Sequence, residues 1–382
     1  MNTIRLLLLW LAAACAAAAH AQPIVVGAVI SQTGAHAPLA AEYAKGIQLW
    51  REQVNAAGGL LGRTVELRLL DDGSQAVRAG PLYASLIRQD KVDLLIGPYG
   101  SAATLVAAAE AERARRVMVN GAGPAAAIHG REPKFVFQTT IPYSAYGPVV
   151  LPIAAEAGYR NLFILARDDA GSHEMAQATQ RAAAGKDFAK AEVDVYRPGT
   201  LDFAEYVARA RASGADAWIA FGDVRDAAEM VKTFKRLAYA PPLFFARAAA
   251  HPRFIALLGQ DAEFALGAVD FDPRFGAAAQ EFARAFGAKY TVAPGLDAAE
   301  GYSAGVVLAA AVRTAGTLDQ EKLRAALGRI EIATPLGTYK ASPQNGAQVG
   351  AKPVVVQIRK GRLEPENVLL PYPQWNERAP IR

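Results

Sequence analysis

From residue 24 onward, short runs of apolar, β-branched residues alternate with longer segments in which apolar positions recur every three or four residues. The runs at 24–30, 64–70, 92–96, 117–120 and 135–139 read as strands. A second series follows at 161–166, 192–196, 216–221, 243–245 and 266–270. Several runs are apolar almost throughout, as expected of strands covered on both faces of a parallel sheet. Segments 41–57, 81–89, 102–115, 203–213 and 227–237 carry the helical period. In 41–57, Tyr43, Ile47, Trp50 and Val54 form one apolar face, and Glu42, Lys45, Arg51 and Glu52 lie mainly off it. Gly58-Gly59 then supplies a helix stop.

The strand–helix alternation predicts an α/β fold with parallel-type central sheets and helices on both faces. Five strands precede residue 140 and five follow residue 160, so the pattern occurs twice. The intervening TTIPYSAYGPVV at 139–150, with two prolines and a glycine, fits a crossover linker. After 272 helices dominate, at 277–290, 301–315 and 319–327, before a strand at 354–358. The expectation is two lobes joined by several chain crossings. Residues 22–140 and 273–335 form the first lobe, and 141–272 and 336–382 the second. Ligands of open α/β sheets sit outside the carboxyl ends of the strands. The Gly-, Ser- and Asp-rich turns SQTGAHA, DDGSQ, GPYGSA, NGAG, RDDAGS and FGDVRD all fall at those ends.

Composition narrows the partners. The 382 residues are 52% hydrophobic and 20% charged, with 41 basic and 36 acidic side chains. The excess is small and dispersed; ERARR at 112–116 is its densest cluster and reads as a solvated helix face. No nucleic-acid partner is expected, since that would require a wider basic surface with interleaved aromatics. The first 21 residues place Arg5 before an apolar run and end in Ala19-His20-Ala21, the order of a cleaved secretory signal peptide. The one cysteine, Cys15, lies inside it. A lipoprotein box around Cys15 is the rival reading, but it lacks the usual leucine three residues earlier. A chain processed at Gln22 has no cysteine, which excludes disulfides and thiolate metal sites.

Candidate chemistry centres on turns. GPYGSAAT at 97–104 follows a strand and opens a helix, whose free amides and dipole favour an anion. Ser101 there reads either as a plain N-cap or as a cap that also reaches a ligand oxygen. GAGPAA at 121–126 imitates a dinucleotide fingerprint. However, Pro124 and the early break at 129–131 leave no good helix, and no acid occurs at 137–149 to bind a ribose. Asp71-Asp72 and Asp168-Asp169 read as turn and cap residues, with Asp169 the better ligand candidate. His36, His129, His173 and His251 are scattered without metal-ligand spacing. No cofactor and no catalytic activity are expected.

Stretches 27–75, 91–104 and 116–123 resemble the periplasmic leucine/isoleucine/valine-binding protein family, as do 134–148, 214–237 and 297–312. NAAGGLLGRTVEL with the following Asp-Asp, and the Gly-Pro-x-x-Ser turn, are the most specific matches. These proteins are the substrate-binding subunits of ABC importers. The resemblance implies a type I periplasmic-binding fold, ligand capture by lobe closure, an inner-membrane permease partner, a periplasmic location and a monomeric state. It implies that Tyr99, Gly100 and Ser101, with Ala122 and Gly123, hold a ligand carboxylate. Gly123 stands where the family often has threonine.

The second lobe departs from the pattern. Asp223 stands where a tyrosine is usual. Ala248, beside Arg247, replaces a glutamate, and Ala170 replaces another tyrosine. Two ligands remain open: an amino acid or amide whose ammonium meets Asp223, or a non-amino organic or aromatic acid with Arg247 on a second polar group. Pairing of Arg247 with Asp223 is the alternative route to that second ligand. A two-lobed enzyme and a sensory ligand-binding module are the rival classes.

Overall fold

The computed structural model describes residues 22–365 and Tyr372. The segment expected to be a signal peptide, with Cys15, lies outside the described residues. The chain first builds β1 (Ile24–Ile30), α1 (Ala37–Ala56), β2 (Val65–Asp71), α2 (Ala76–Arg88), β3 (Leu94–Ile96), α3 (Ser101–Arg113), β4 (Met118–Asn120) and β5 (Val136–Gln138). It continues with α4 (Leu151–Glu156), β6 (Asn161–Arg167), α5 (Ala170–Ala184), β7 (Lys190–Tyr196), α6 (Ala204–Ser213), β8 (Ala217–Phe221), α7 (Val224–Arg236), β9 (Leu243–Ala246), α8 (Pro252–Leu258) and β10 (Leu266–Val269). Then follow α9 (Ala277–Tyr290), α10 (Leu296–Ala315), α11 (Gln320–Leu327), β11 (Ile332–Thr334), β12 (Gly337–Tyr339), β13 (Val354–Arg359) and β14 (Arg362–Pro365).

Two compact units result among the described residues, one of 22–140 with 273–351 and the other of 141–272 with the residues from 352 onward. The last crossing therefore lies at 351/352 and not at 335/336. The reason is hydrogen bonding. Gln138 N donates to Gly346 O at 2.9 Å, Gln348 Nε2 donates to Thr139 O at 3.3 Å, and β12 pairs antiparallel with β11. Residues 336–351 thus stay with the first unit.

The first unit's sheet runs β2-β1-β3-β4-β5, with every pairing parallel. Its core gathers Val26, Leu94, Ile96 and Val119 from the strands with Tyr43, Ile47, Trp50 and Val54 from α1 and Val307 and Leu308 from α10. The predicted apolar face of α1 is thus the buried one. The second unit's sheet runs β14-β13-β10-β9-β8-β6-β7. β10 to β7 pair in parallel, and β13 and β14 add an antiparallel edge. Trp218 of β8 centres its core, 4.9 Å from the Phe163 and Phe234 rings.

α2 begins five residues before the predicted start at 81, so Pro81 lies inside the helix. A proline there deprives the carbonyl four residues earlier of its donor. That residue is Val77, 75% exposed, so solvent can take the place of the lost bond. No helix among the described residues is long and apolar enough to cross a membrane.

Candidate functional site

In the first unit, the parallel pairing of β3 and β4 continues past the strand ends. Gly97 N donates to Val119 O at 2.8 Å and Gly100 N to Ala122 O at 3.1 Å. This lays the 97–101 turn beside the 121–125 turn at the carboxyl edge of the sheet. Gly100 sits at φ 88°, with no atom within 4 Å of where a Cβ would be. That left-handed backbone, natural to glycine, turns the chain directly into α3.

Gly100, and not Ser101, is the N-cap residue, and no side chain caps α3. Ser101 is the first helical residue. Its Oγ instead accepts from Ala125 N at 3.2 Å, which ties the two turns together. The predicted cap role is therefore corrected. The hydroxyl keeps its own proton free to donate, and the amides of the first helical turn lack intrahelical acceptors as in any α-helix. With the dipole, they form a donor set suited to a carboxylate.

The neighbouring turn contributes less than its sequence implies. Gly123 N donates to Asn120 Oδ1 at 2.8 Å, and its carbonyl accepts from Asn120 Nδ2 at 2.8 Å. A Cβ on Gly123 would lie 2.8 Å from both Ile128 Cδ1 and Thr104 Oγ1. Its polar groups are engaged, and a side chain here would have to displace the ends of Ile128, Thr104 and Asn120. Ala122 is buried and its carbonyl is taken by Gly100.

Tyr99 is held from α10: its hydroxyl donates to Asp297 Oδ1 at 2.9 Å. Burial pushes the Asp297 carboxyl up. The Tyr99 ring lies 6.3 Å from His36 and 6.1 Å from Tyr43. Asp71 and Asp72 serve the turns as predicted. Asp71 accepts from the amides of Gln32 and Gly73, both at 2.8 Å. Asp72 is buried and accepts from Ser31 Oγ at 2.7 Å.

In the second unit, charged residues follow the carboxyl ends of neighbouring strands: Arg167 to Asp169 at β6, Asp223 after β8, Arg247 after β9 and Asp270 after β10. Asp169 caps α5, accepting from Ser172 N at 2.9 Å and Ser172 Oγ at 3.0 Å. Asp223 caps α7 in a capping box with Asp226. Its Oδ1 accepts from Arg225 N at 2.9 Å, and its Oδ2 accepts from Arg167 Nη1 at 2.5 Å. Both Asp223 oxygens are therefore engaged. Asp226 behind it is buried, which pushes its carboxyl up, and it accepts from Tyr196 Oη at 2.9 Å.

Arg247 does not pair with Asp223. It opens a short 3-10 segment, Arg247–Ala250, and its guanidinium lies 4.5 Å from the centroid of the Tyr146 ring. Its ion pair is with Asp270, at 3.9 Å. Tyr146 Oη donates to Asp270 Oδ2. Burial is the largest influence on Arg247 and opposes its charge, but Tyr146 and Asp270 outweigh it and hold the guanidinium protonated. Tyr143 adds a second ring, 6.4 Å from Tyr146, and it packs on Gly171 beside Ala170: a Cβ on Gly171 would lie 3.1 Å from Tyr143 Cε2.

Sequence reasoning missed Arg167, Tyr143, Tyr146 and Asp270 as members of this surface. Segment 139–150 reads as a linker, and its aromatic residues were the available signal. Among the described residues no group of three or more His, Cys, Asp or Glu side chains is arranged to hold a metal ion.

A family model described as periplasmic binding protein matches residues 23–362. An amino acid binding protein of Pseudomonas aeruginosa is 32% identical over 84 residues, 22% of each chain. The chain thus matches about a fifth of that relative's length. A putative branched-chain amino acid ABC transporter from Rhodospirillum rubrum superposes with TM-score 0.80 at 21% identity, over 90% of this chain and 100% of that one. A solute binding protein of an ABC transporter from Rhodopseudomonas palustris BisB5, solved with 3,4-dihydroxy benzoic acid, gives 0.69 at 21% identity, over 89% and 95%. At these identities the structural likeness establishes the fold.

Proposed function

The chain belongs to the periplasmic binding protein family, and we propose that it is the extracytoplasmic solute-binding subunit of an ABC importer, taking up a small carboxylate-bearing ligand. The observation that carries this reading is the uncapped start of α3 with the Ser101 hydroxyl beside it. A helix end left without a side-chain cap, at the carboxyl edge of a parallel sheet, is a donor set awaiting an oxyanion. Tyr99, Gly100 and Ser101 form this cradle, with Ala122 and Gly123 as its supporting backbone. Asp169, Asp223 and Arg247 belong to the ligand-facing surface assigned to the second unit.

The function is binding without a chemical step, and the protein acts as a monomer that delivers its ligand to an inner-membrane permease from the periplasm. Two ligand classes fit the cradle: an amino acid or amide, and an organic or aromatic acid. The engaged state of Asp223 favours the second, because its carboxylate already accepts from two backbone amides and a guanidinium.

A thermal-shift screen of residues 22–382 against amino acids, amides, and aliphatic and aromatic acids tests the function. Titration calorimetry on the winning ligand tests the cradle. Ser101→Ala removes a hydrogen bond to a charged group, which is worth about 1.5–3 kcal/mol, or roughly 10- to 150-fold in affinity. Undiminished binding by that variant rejects the cradle.

A further inference from the structure

Arg247 is a half-buried cation whose hydrogen-bonding capacity is only partly spent, on the Tyr146 hydroxyl. A guanidinium carries five N–H donors, yet Nε is buried with no acceptor and the nearest carboxylate stands 3.9 Å away, beyond hydrogen-bond reach. That carboxylate is itself engaged. Asp270 Oδ2 accepts from Tyr146 Oη, and Oδ1 is buried and unpartnered. The two ions neutralise one another at a distance and leave donors on one and an acceptor on the other unmatched. A buried polar group in that condition calls for a partner the protein does not itself supply.

Accessibility decides which of the two meets that partner. The Arg247 side chain is 31% exposed and the Asp270 side chain 6%. A small molecule approaching this edge of the sheet meets the cation first. Tyr146 fixes the guanidinium plane from below, and Asp270 keeps the cation charged from behind. A planar fork held in this way matches the geometry of a carboxylate, which it can take through two parallel N–H bonds. It repels an ammonium. The residue that would have received an ammonium, Asp223, is occupied by its cap bonds and by Arg167.

We infer that Arg247, held by Tyr146 and Asp270, reads an oxyanion on the ligand, so that the ligand is an acid with a second carboxylate and not a neutral-side-chain amino acid. This rests on the proposed binding function and specifies its ligand class. Tyr143 and Tyr146 lie beside the guanidinium, so diacids with a flat or aromatic skeleton have rings to pack against.

The test compares matched acids on the protein of residues 22–382 by titration calorimetry: succinate with butyrate, terephthalate with benzoate, and leucine as the amino acid. A diacid is expected to bind at least about tenfold tighter than its monoacid partner. Arg247→Gln should bring that ratio down to near one, and Arg247→Lys should restore part of it, which loss of a merely structural contact would not do. The comparison on the unaltered protein stands even if Arg247→Gln fails to fold. Leucine binding tighter than every diacid, or a diacid-to-monoacid ratio near one, overturns the inference and leaves the binding function intact. Absence of binding by every carboxylate probe overturns both.

Discussion

Three glycines let α1 and α10 approach more closely than side chains would allow, and one of them gives a sharp test of how the first unit is built. Gly46 of α1 faces Ala298, Gly301 of α10 faces Tyr43, and Gly305 faces the Trp50 ring. A Cβ on Gly46 would stand 2.0 Å from Ala298 O and 2.8 Å from Tyr302 N. Ordinary contact begins near 3.4 Å, so the methyl group falls about 1.4 Å short of room. Both obstructing atoms are backbone, and neither can rotate away. Gly46→Ala must therefore part the helices. Overpacking of a tight core typically costs about 1–3 kcal/mol, and a backbone-on-backbone clash belongs at the upper end. Replacing a mid-helix glycine by alanine returns about 1 kcal/mol. The net expectation is a loss of about 2 kcal/mol, or roughly 4–8 °C in the melting temperature of a unit this size. Ligand affinity should weaken too, because Asp297, which holds the Tyr99 hydroxyl, lies one residue from the clash. The assay is thermal unfolding by calorimetry of Gly46→Ala beside Gly185→Ala. Gly185 ends α5 at φ −90° with open space around it, and its variant should melt within about 2 °C of the parent, a surface-scale effect. A Gly46→Ala protein that melts at or above the parent would refute the close-packing argument.

Asp223→Ala should destabilise the second unit by about 0.5–2 kcal/mol through loss of the α7 cap. Asp223→Asn should recover most of that in urea unfolding. If Asp223→Asn instead abolished ligand binding with stability retained, the aspartate would be a ligand contact after all. His129 gives a pH signature. Its Nδ1 lies 2.7 Å from Asn345 O, and burial, the largest influence, pulls its pKa below the ordinary value against the opposing pull of that carbonyl and of Glu112. A base with a depressed folded pKa binds more protons when unfolded. Its contribution is therefore complete above about pH 6.5 and is lost as the pH falls from there through the folded value. Urea unfolding between pH 5 and 8 should show stability rising with pH, with a shallower slope in His129→Gln. An unchanged slope would mean that other groups carry the pH dependence.

Elements and lobes were legible along the chain because they follow from local rules. A run such as 217–221 is apolar throughout because both faces of its strand are covered, and the face of α1 is dictated by the 3.6-residue period. Ser101 is a candidate on the same footing, as a serine after a Gly-Pro turn that opens a helix. What the chain could not disclose is which donors are already spent. Gly123 reads as a free amide until Asn120, three residues earlier, is seen to take it. Asp223 reads as an ammonium partner until Arg167, 56 residues away, is seen bonded to it. Arg247, Tyr146 and Asp270 are separated by up to 124 residues and share no sequence signature. Only the parallel order of β8, β9 and β10 brings two of their strand ends side by side and lets a linker tyrosine close the set. Local periodicity decides what an element is. The pairing of charges at the sheet edge is decided by strand order, a long-range property that no window of sequence contains.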